Sequence, residues 1–212
     1  MHWNRVMGVL KKILTFLFVG VSVPAMADDC VAYKLTPKIT IDNPSWVKEV
    51  VQPLEPMDLW HGNVVATMVD NYDIVADVTS IEDGFCIGLK SVHATIGYSD
   101  FSVRIDIRHT PNTCSYDAVL AHEDQHIRQY LSVIDDFKED LHKSVFVAAD
   151  SVMPIFVPDM ELFDAAIDEL NKELQAHPDL ILVKQKIKAE EEIRNKRVDM
   201  MDTGAGLKKC FE

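Results

Sequence analysis

From Cys114 to Met153 the chain contains neither glycine nor proline, so nothing in that stretch interrupts a helix. Pro111-Asn112-Thr113 stands before it and Pro154 after it, with Thr113 or Ser115 placed to cap the first turn. The pattern predicts one long helix, or two joined by a bend, around which the other elements must pack. Leu120, Ile127, Leu131, Ile134, Leu141 and Val145 recur at helical intervals and form a core-facing stripe. Val119, His122, His126, Tyr130, Val133 and Phe137 form a second stripe about 100° round.

Within this helix lies His122-Glu123-Asp124-Gln125-His126. Helical residues four apart share a face about 6 Å apart, so two neutral imidazoles at that spacing can hold one zinc ion. Glu123, just round the same face, can act as general base towards water at the metal. Random order would produce the pattern in roughly two of every hundred such chains, so its context matters. An open zinc site needs a third protein ligand, and the sequence leaves it unknown. Ser132 occupies the position where the third histidine of the extended motif falls. Glu161, Asp164 and Glu173 come from a later helix, Asp135, Asp136 and His142 from the motif helix itself, and His93 and His109 from near the sheet. Tyr130 is placed either to hydrogen-bond an oxyanion or to pack in the core. His61, in Trp60-His61-Gly62, reads as a turn residue.

Ahead of the helix the pattern is that of strands. Pro37, Pro44, Pro53 and Pro56 forbid a long helix early on, though Lys38–Ile41 reads as extended and Trp46–Val51 as a single helical turn. From Val64 to Ile107 apolar residues alternate in short runs: Tyr72 to Val78, Phe85 to Leu89, Val92 to Ile96, and Phe101 to Ile107. In the last run Ser102, Arg104, Asp106 and Arg108 are expected to point outward. Asp70-Asn71, Glu82-Asp83-Gly84 and Gly97-Tyr98-Ser99-Asp100 read as turns, which predicts an antiparallel meander. Phe101–Ile107 offers an edge where an extended peptide substrate could pair. After Pro154 and Pro158, Phe163, Ile167, Leu170 and Leu174 predict a second helix, ended by Pro178. A third runs from about Asp179 to Met201. The oppositely charged i,i+4 pairs of that last helix read as a solvated face. The expected fold is α+β: an antiparallel sheet over about residues 64–108, packed on the motif helix and followed by two C-terminal helices.

Residues 1–27 resemble a cleavable signal peptide. Arg5, Lys11 and Lys12 precede the apolar run Ile13–Val23, and Ala25-Met26-Ala27 supplies a small-x-small cleavage site. That run is too short to span a bilayer, so residues 28–212 are expected to form one periplasmic or secreted domain without stable membrane insertion. The net charge of −13 argues against nucleic acid as a partner. Cys30, Cys86, Cys114 and Cys210 are scattered singly, which argues against thiolate zinc and for two disulfides. Three connectivities are possible; the place of Cys114 just before the helix favours Cys114–Cys210 with Cys30–Cys86.

Cys86-Ile87, the strand up to Ile107 and Leu120-Ala121-His122-Glu123-Asp124-Gln125-His126 together resemble bacterial exported proteins grouped as zinc-dependent proteases under a domain of unknown function. The resemblance covers roughly Phe85 to Lys143. It implies a zincin-like fold with His122 and His126 on zinc and Glu123 catalytic, acting on a peptide or protein substrate. The competing expectation is a periplasmic metal-binding or protein-interaction module without turnover. A third is a zinc hydrolase of cell-wall cross-links.

Overall fold

The computed structural model describes residues 26–57, 61–202 and 204–212. The signal segment expected over 1–27 therefore lies almost wholly outside the described residues. A 3-10 helix, Met26–Tyr33, leads into β1 (Lys38–Asp42) and β2 (Val47–Val51). A long hairpin follows, made of β3 (Gly62–Ile81) and β4 (Gly84–Ile105). Next come α1 (Cys114–Asp136), α2 (Lys138–Ser151), β5 (Ile155–Val157), α3 (Phe163–Gln175), α4 (Pro178–Met201) and the short α5 (Ala205–Lys208).

The sheet is mixed, and the antiparallel meander is corrected here. β4 is its central strand. One edge of β4 pairs antiparallel with β3 along its whole length. The other edge takes β5 antiparallel at Phe85–Ile87, then β1 parallel at Ser91–Thr95, then β2 parallel at Asp100–Arg104. Parallel neighbours arise because β1 and β2 reach β4 through a long excursion rather than a tight turn. The helical turn expected over Trp46–Val51 is instead strand from Val47 onward, and β5 fills the short gap between Pro154 and Pro158.

The turn expected at Gly97–Asp100 is a bulge inside β4, a second bulge falls at Lys90, and the turn expected at Asp70-Asn71 is unbroken β3 opposite Ile96 and Thr95. Thr67 faces Asp100 and Met68 faces Tyr98, so Ser99 is skipped; Val75 faces Ser91 and Ala76 faces Leu89, so Lys90 is skipped. Each extra residue flips which side chains face inward. Ile87 and Leu89 therefore give way to Val92, Ala94, Ile96 and Tyr98, and these to Phe101, Val103 and Ile105, all buried. Gly97, where a turn was expected, has φ +152, and a Cβ there would stand 2.9 Å from Pro44 Cδ. Only glycine lets the strand pass beneath that proline.

The helices cover the sheet face carrying those buried residues, in two layers. Val133 and Ile134 of α1, Leu141 and Val145 of α2, Leu170 and Leu174 of α3, and Leu180 and Ile187 of α4 close the core. Each fully buried aliphatic side chain contributes about 1.5–3 kcal/mol. On the opposite face Val65 and Val75, paired with Ser102 and Ser91, remain exposed. Thr113 caps α1, its hydroxyl accepting from Tyr116 N–H, and the helix breaks from α2 only at Phe137. Disulfides join Cys30 to Cys86 and Cys114 to Cys210, the connectivity that the place of Cys114 favoured. Both fit an oxidising compartment. Among the described residues no helix is long and apolar enough to cross a membrane.

Beyond β4 the inward and outward assignments reverse. Ile107 is exposed, whereas Asp106 is fully buried. Its carboxylate accepts from Arg108 Nε and Nη2 and from the backbone N–H groups of Arg108 and Met57. The Arg108 guanidinium holds this carboxyl well below the usual range, assisted by those backbone groups and opposed by burial. A folded pKa below the unfolded value of about 3.9 stabilises the fold above that value, and the benefit disappears as pH falls through the folded pKa. Asp106→Asn should cost about 2 kcal/mol at neutral pH. The gap from the native protein should narrow below about pH 4, as thermal melts at stepped pH would measure. A constant gap down to pH 2 would show that this carboxylate plays no part in acid stability.

Candidate metal centre

α1 presents His122 and His126 on one face because they are one turn apart, and their Nε2 atoms lie 3.2 Å from each other. A third donor reaches the same point from α4. Asp199 Oδ1 stands 3.1 Å from His126 Nε2 and 3.5 Å from His122 Nε2. These three residues form a group able to hold a metal ion.

The outer ring nitrogens are also engaged. His126 Nδ1 donates to Asn195 Oδ1 at 2.8 Å, leaving its Nε2 lone pair for a metal. The Asn195 amide is itself oriented by donating from Nδ2 to Glu191 O. Asp202 Oδ2 lies 2.7 Å from His122 Nδ1, but off the line of a hydrogen bond in this conformation. Behind Asn195, Glu191 is buried and accepts from the Tyr98 hydroxyl of β4. Burial pushes the Glu191 carboxyl above its ordinary value. Arg194 ties α4 to α1 through Asp136 at 2.7 Å and Ser132 at 3.1 Å. Ser132, where the extended motif would carry its third histidine, is thus a clamp between helices.

Glu123 lines the same cavity as the three donors without joining their group, lies against β3, and is 3 % exposed. Burial pushes its carboxyl up to about 7, with the negative charges of Asp199 and Asp124 adding to the effect. It packs against the first residue of β3: a Cβ on Gly62 would lie 2.6 Å from Glu123 Oε1, 2.8 Å from Val119 Cγ1 and 3.0 Å from Arg104 O. Glycine is what allows strand and helix to approach this closely. Gly62→Ala should overpack the contact, costing about 1–3 kcal/mol; a thermal midpoint equal to that of the native protein would show that the two elements separate freely.

A cavity of about 510 Å³ opens over this centre. The start of β3 forms one wall, α1 with Tyr130 another, and Asp202, Gly204 and Leu207 close the far side. His61 also lines it, with Nδ1 2.9 Å from Nε2 of the buried His109. Burial lowers the His109 pKa, and the neighbouring His61 lowers it further. His61 is therefore more than a turn residue.

The other third-ligand alternatives lie elsewhere. His93 bonds Thr40 Oγ1, His109 pairs with His61, and Asp136 is taken by Arg194. Asp135, His142, Glu161, Asp164 and Glu173 are exposed and outside the group. The charged pairs of α4 do lie on a solvated face, with Lys186, Lys188, Glu192 and Lys196 exposed; what the pairs did not reveal is the neighbouring face that carries Asn195 and Asp199. A sequence signal for it existed, since the buried series Leu180, Val183, Ile187 meets Glu191 on its next turn. A polar residue replacing the expected apolar one marks a face with a task. The edge proposed at Phe101–Ile107 is also corrected: β2 and β3 occupy both sides of β4 there. No family model, curated protein or solved structure matches this chain.

Proposed function

We propose that this chain is an exported zinc-dependent hydrolase of the metallopeptidase kind, with His122, His126 and Asp199 as metal ligands and Glu123 as general base. The observation that carries the reading is the triangle of donors. Ligand atoms about 2.0–2.1 Å from a tetrahedral zinc stand about 3.3–3.4 Å from one another, and here the edges measure 3.1, 3.2 and 3.5 Å. Three protein ligands of mixed nitrogen and oxygen type leave a fourth position open to the cavity, as catalytic rather than structural zinc requires. Such an ion supplies Lewis acidity to a peptide carbonyl and to water.

The protein's own groups supply the rest. Glu123 takes the proton of the attacking water and returns it to the leaving amine. His61 and Tyr130, both lining the cavity, are the donors available to the carbonyl oxygen as it gains charge. The edge of β3 away from β4 has no strand partner among the described residues. An extended peptide laid along Gly62–Val64 would reach the cavity from there. This reading agrees with the resemblance of Leu120–His126 to exported zinc-dependent proteases.

The test is metal content followed by turnover. Purified protein should carry one zinc and cleave casein or a peptide library. It should stop when a chelator strips the metal and resume when zinc is returned. Protein with no stoichiometric zinc removes the reading.

A further inference from the structure

We propose that the C-terminal tail is a working part of the metal centre, with Asp202 as a positioning residue for His122 and the Cys114–Cys210 disulfide as the tether that keeps it there. The inference rests on the metal reading above and concerns what completes the site.

α4 ends at Met201, immediately after the ligand Asp199. Asp202 then turns its carboxylate back over α1. Its Oδ1 accepts from Gly204 N–H at 2.8 Å, and its Oδ2 lies 2.7 Å from His122 Nδ1. A small rotation of either group makes that second approach a hydrogen bond, which would set the His122 tautomer with Nε2 free for the metal. The partnership of His126 with Asn195 is already made on the other side. Asp202 and Asn195 are thus the outer partners of the two histidines.

The two differ in what holds them. Asn195 sits inside a helix fastened by Arg194 to Asp136 and by the buried Val198. Asp202 lies past the helix end, and the segment beyond it has little of its own to hold it. α5 is only four residues long, far below the length at which a helix persists unaided. Its apolar anchor is the half-buried Leu207. The remaining attachment is covalent, Cys210 to Cys114 at the first residue of α1. The disulfide closes the tail over the N-terminal half of the motif helix. Gly206 thereby comes to Ala118, where an added Cβ would stand 3.9 Å away, and Gly204 and Leu207 become cavity wall. The other disulfide joins Cys30 to Cys86 near the start of β4, at the end of that strand away from Gly62 and Glu123.

The experiment measures zinc affinity by competition with a chromophoric chelator on full-length mature protein. It compares the native chain with Asp202→Asn, Cys114→Ser/Cys210→Ser, the three substitutions together, and Cys30→Ser/Cys86→Ser, with circular dichroism recorded for each. Loss of an outer partner typically weakens metal binding about 10–100-fold. The expected result is a loss of that size for Asp202→Asn and for Cys114→Ser/Cys210→Ser. The triple variant should be no weaker than the disulfide variant, because both changes act along one path. Cys30→Ser/Cys86→Ser, if folded, should bind like the native chain. Native affinity in a folded Cys114→Ser/Cys210→Ser protein overturns the proposal, and so does a triple variant whose loss equals the product of the separate losses. If the disulfide variant fails to fold, Asp202→Asn decides, and native affinity there overturns it. Absence of zinc binding by the native chain defeats the metal reading itself. Tight native binding with indifferent variants defeats only the role of the tail.

Discussion

Glu123→Gln should hydrolyse peptide substrates roughly 10²–10⁴-fold more slowly than the native protein, the span removed when a general base is lost, while retaining its zinc. Glutamine keeps the shape that packs against Gly62 and Val119, so the fold and the cavity are preserved. His122, His126 and Asp199 are untouched, so metal affinity should stay unchanged. What goes is the carboxylate that, on the proposed reading, accepts a proton from water and passes it to the amine. Digestion of casein or a peptide library, read by mass spectrometry on samples of known zinc content, measures both quantities together. Equal rates in the two proteins, or cleavage by neither, would leave a metal-binding module without turnover.

Asp199→Ala should weaken zinc binding more than about 100-fold, beyond the 10–100-fold that an outer partner costs. It removes the proposed third ligand and leaves two histidines 3.2 Å apart with no anionic donor between them. Global stability should barely change, because the Asp199 side chain is 46 % exposed and surface substitutions usually stay within about 0.5 kcal/mol. Asp135→Ala and Glu173→Ala, two of the acids the sequence offered for this position, should bind zinc like the native chain. Native affinity in Asp199→Ala would place the third donor elsewhere.

Much of the sheet was legible residue by residue, and its topology was not. The alternation in Val92–Ile96 and again in Phe101–Ile105 correctly marks strand. The change of phase between those runs has two physical readings: the chain turns back, or it continues with one residue bulged out. Short-range pattern does not separate them. Ser99 and Lys90 turn out to be bulges, so three expected strands merge into one of 22 residues. Asp106 misled for a related reason. Strand alternation sends it outward, but the strand ends at Ile105 and the next residue turns in to meet Arg108 and Met57.

The motif helix, its cap at Thr113, the shared face of His122 and His126 and the breaks at Pro154 and Pro178 were all determined by the sequence itself. Each depends on bonds and spacings within a turn or two of one helix, where backbone geometry leaves little choice. The direction of β1 and β2, the identity of Asp199 and Asn195, and the return of the tail to α1 were decided only by tertiary structure. Asn195 meets His126 across 69 residues of sequence. No local periodicity spans such a distance; packing of α4 against α1 and the sheet brings the two together.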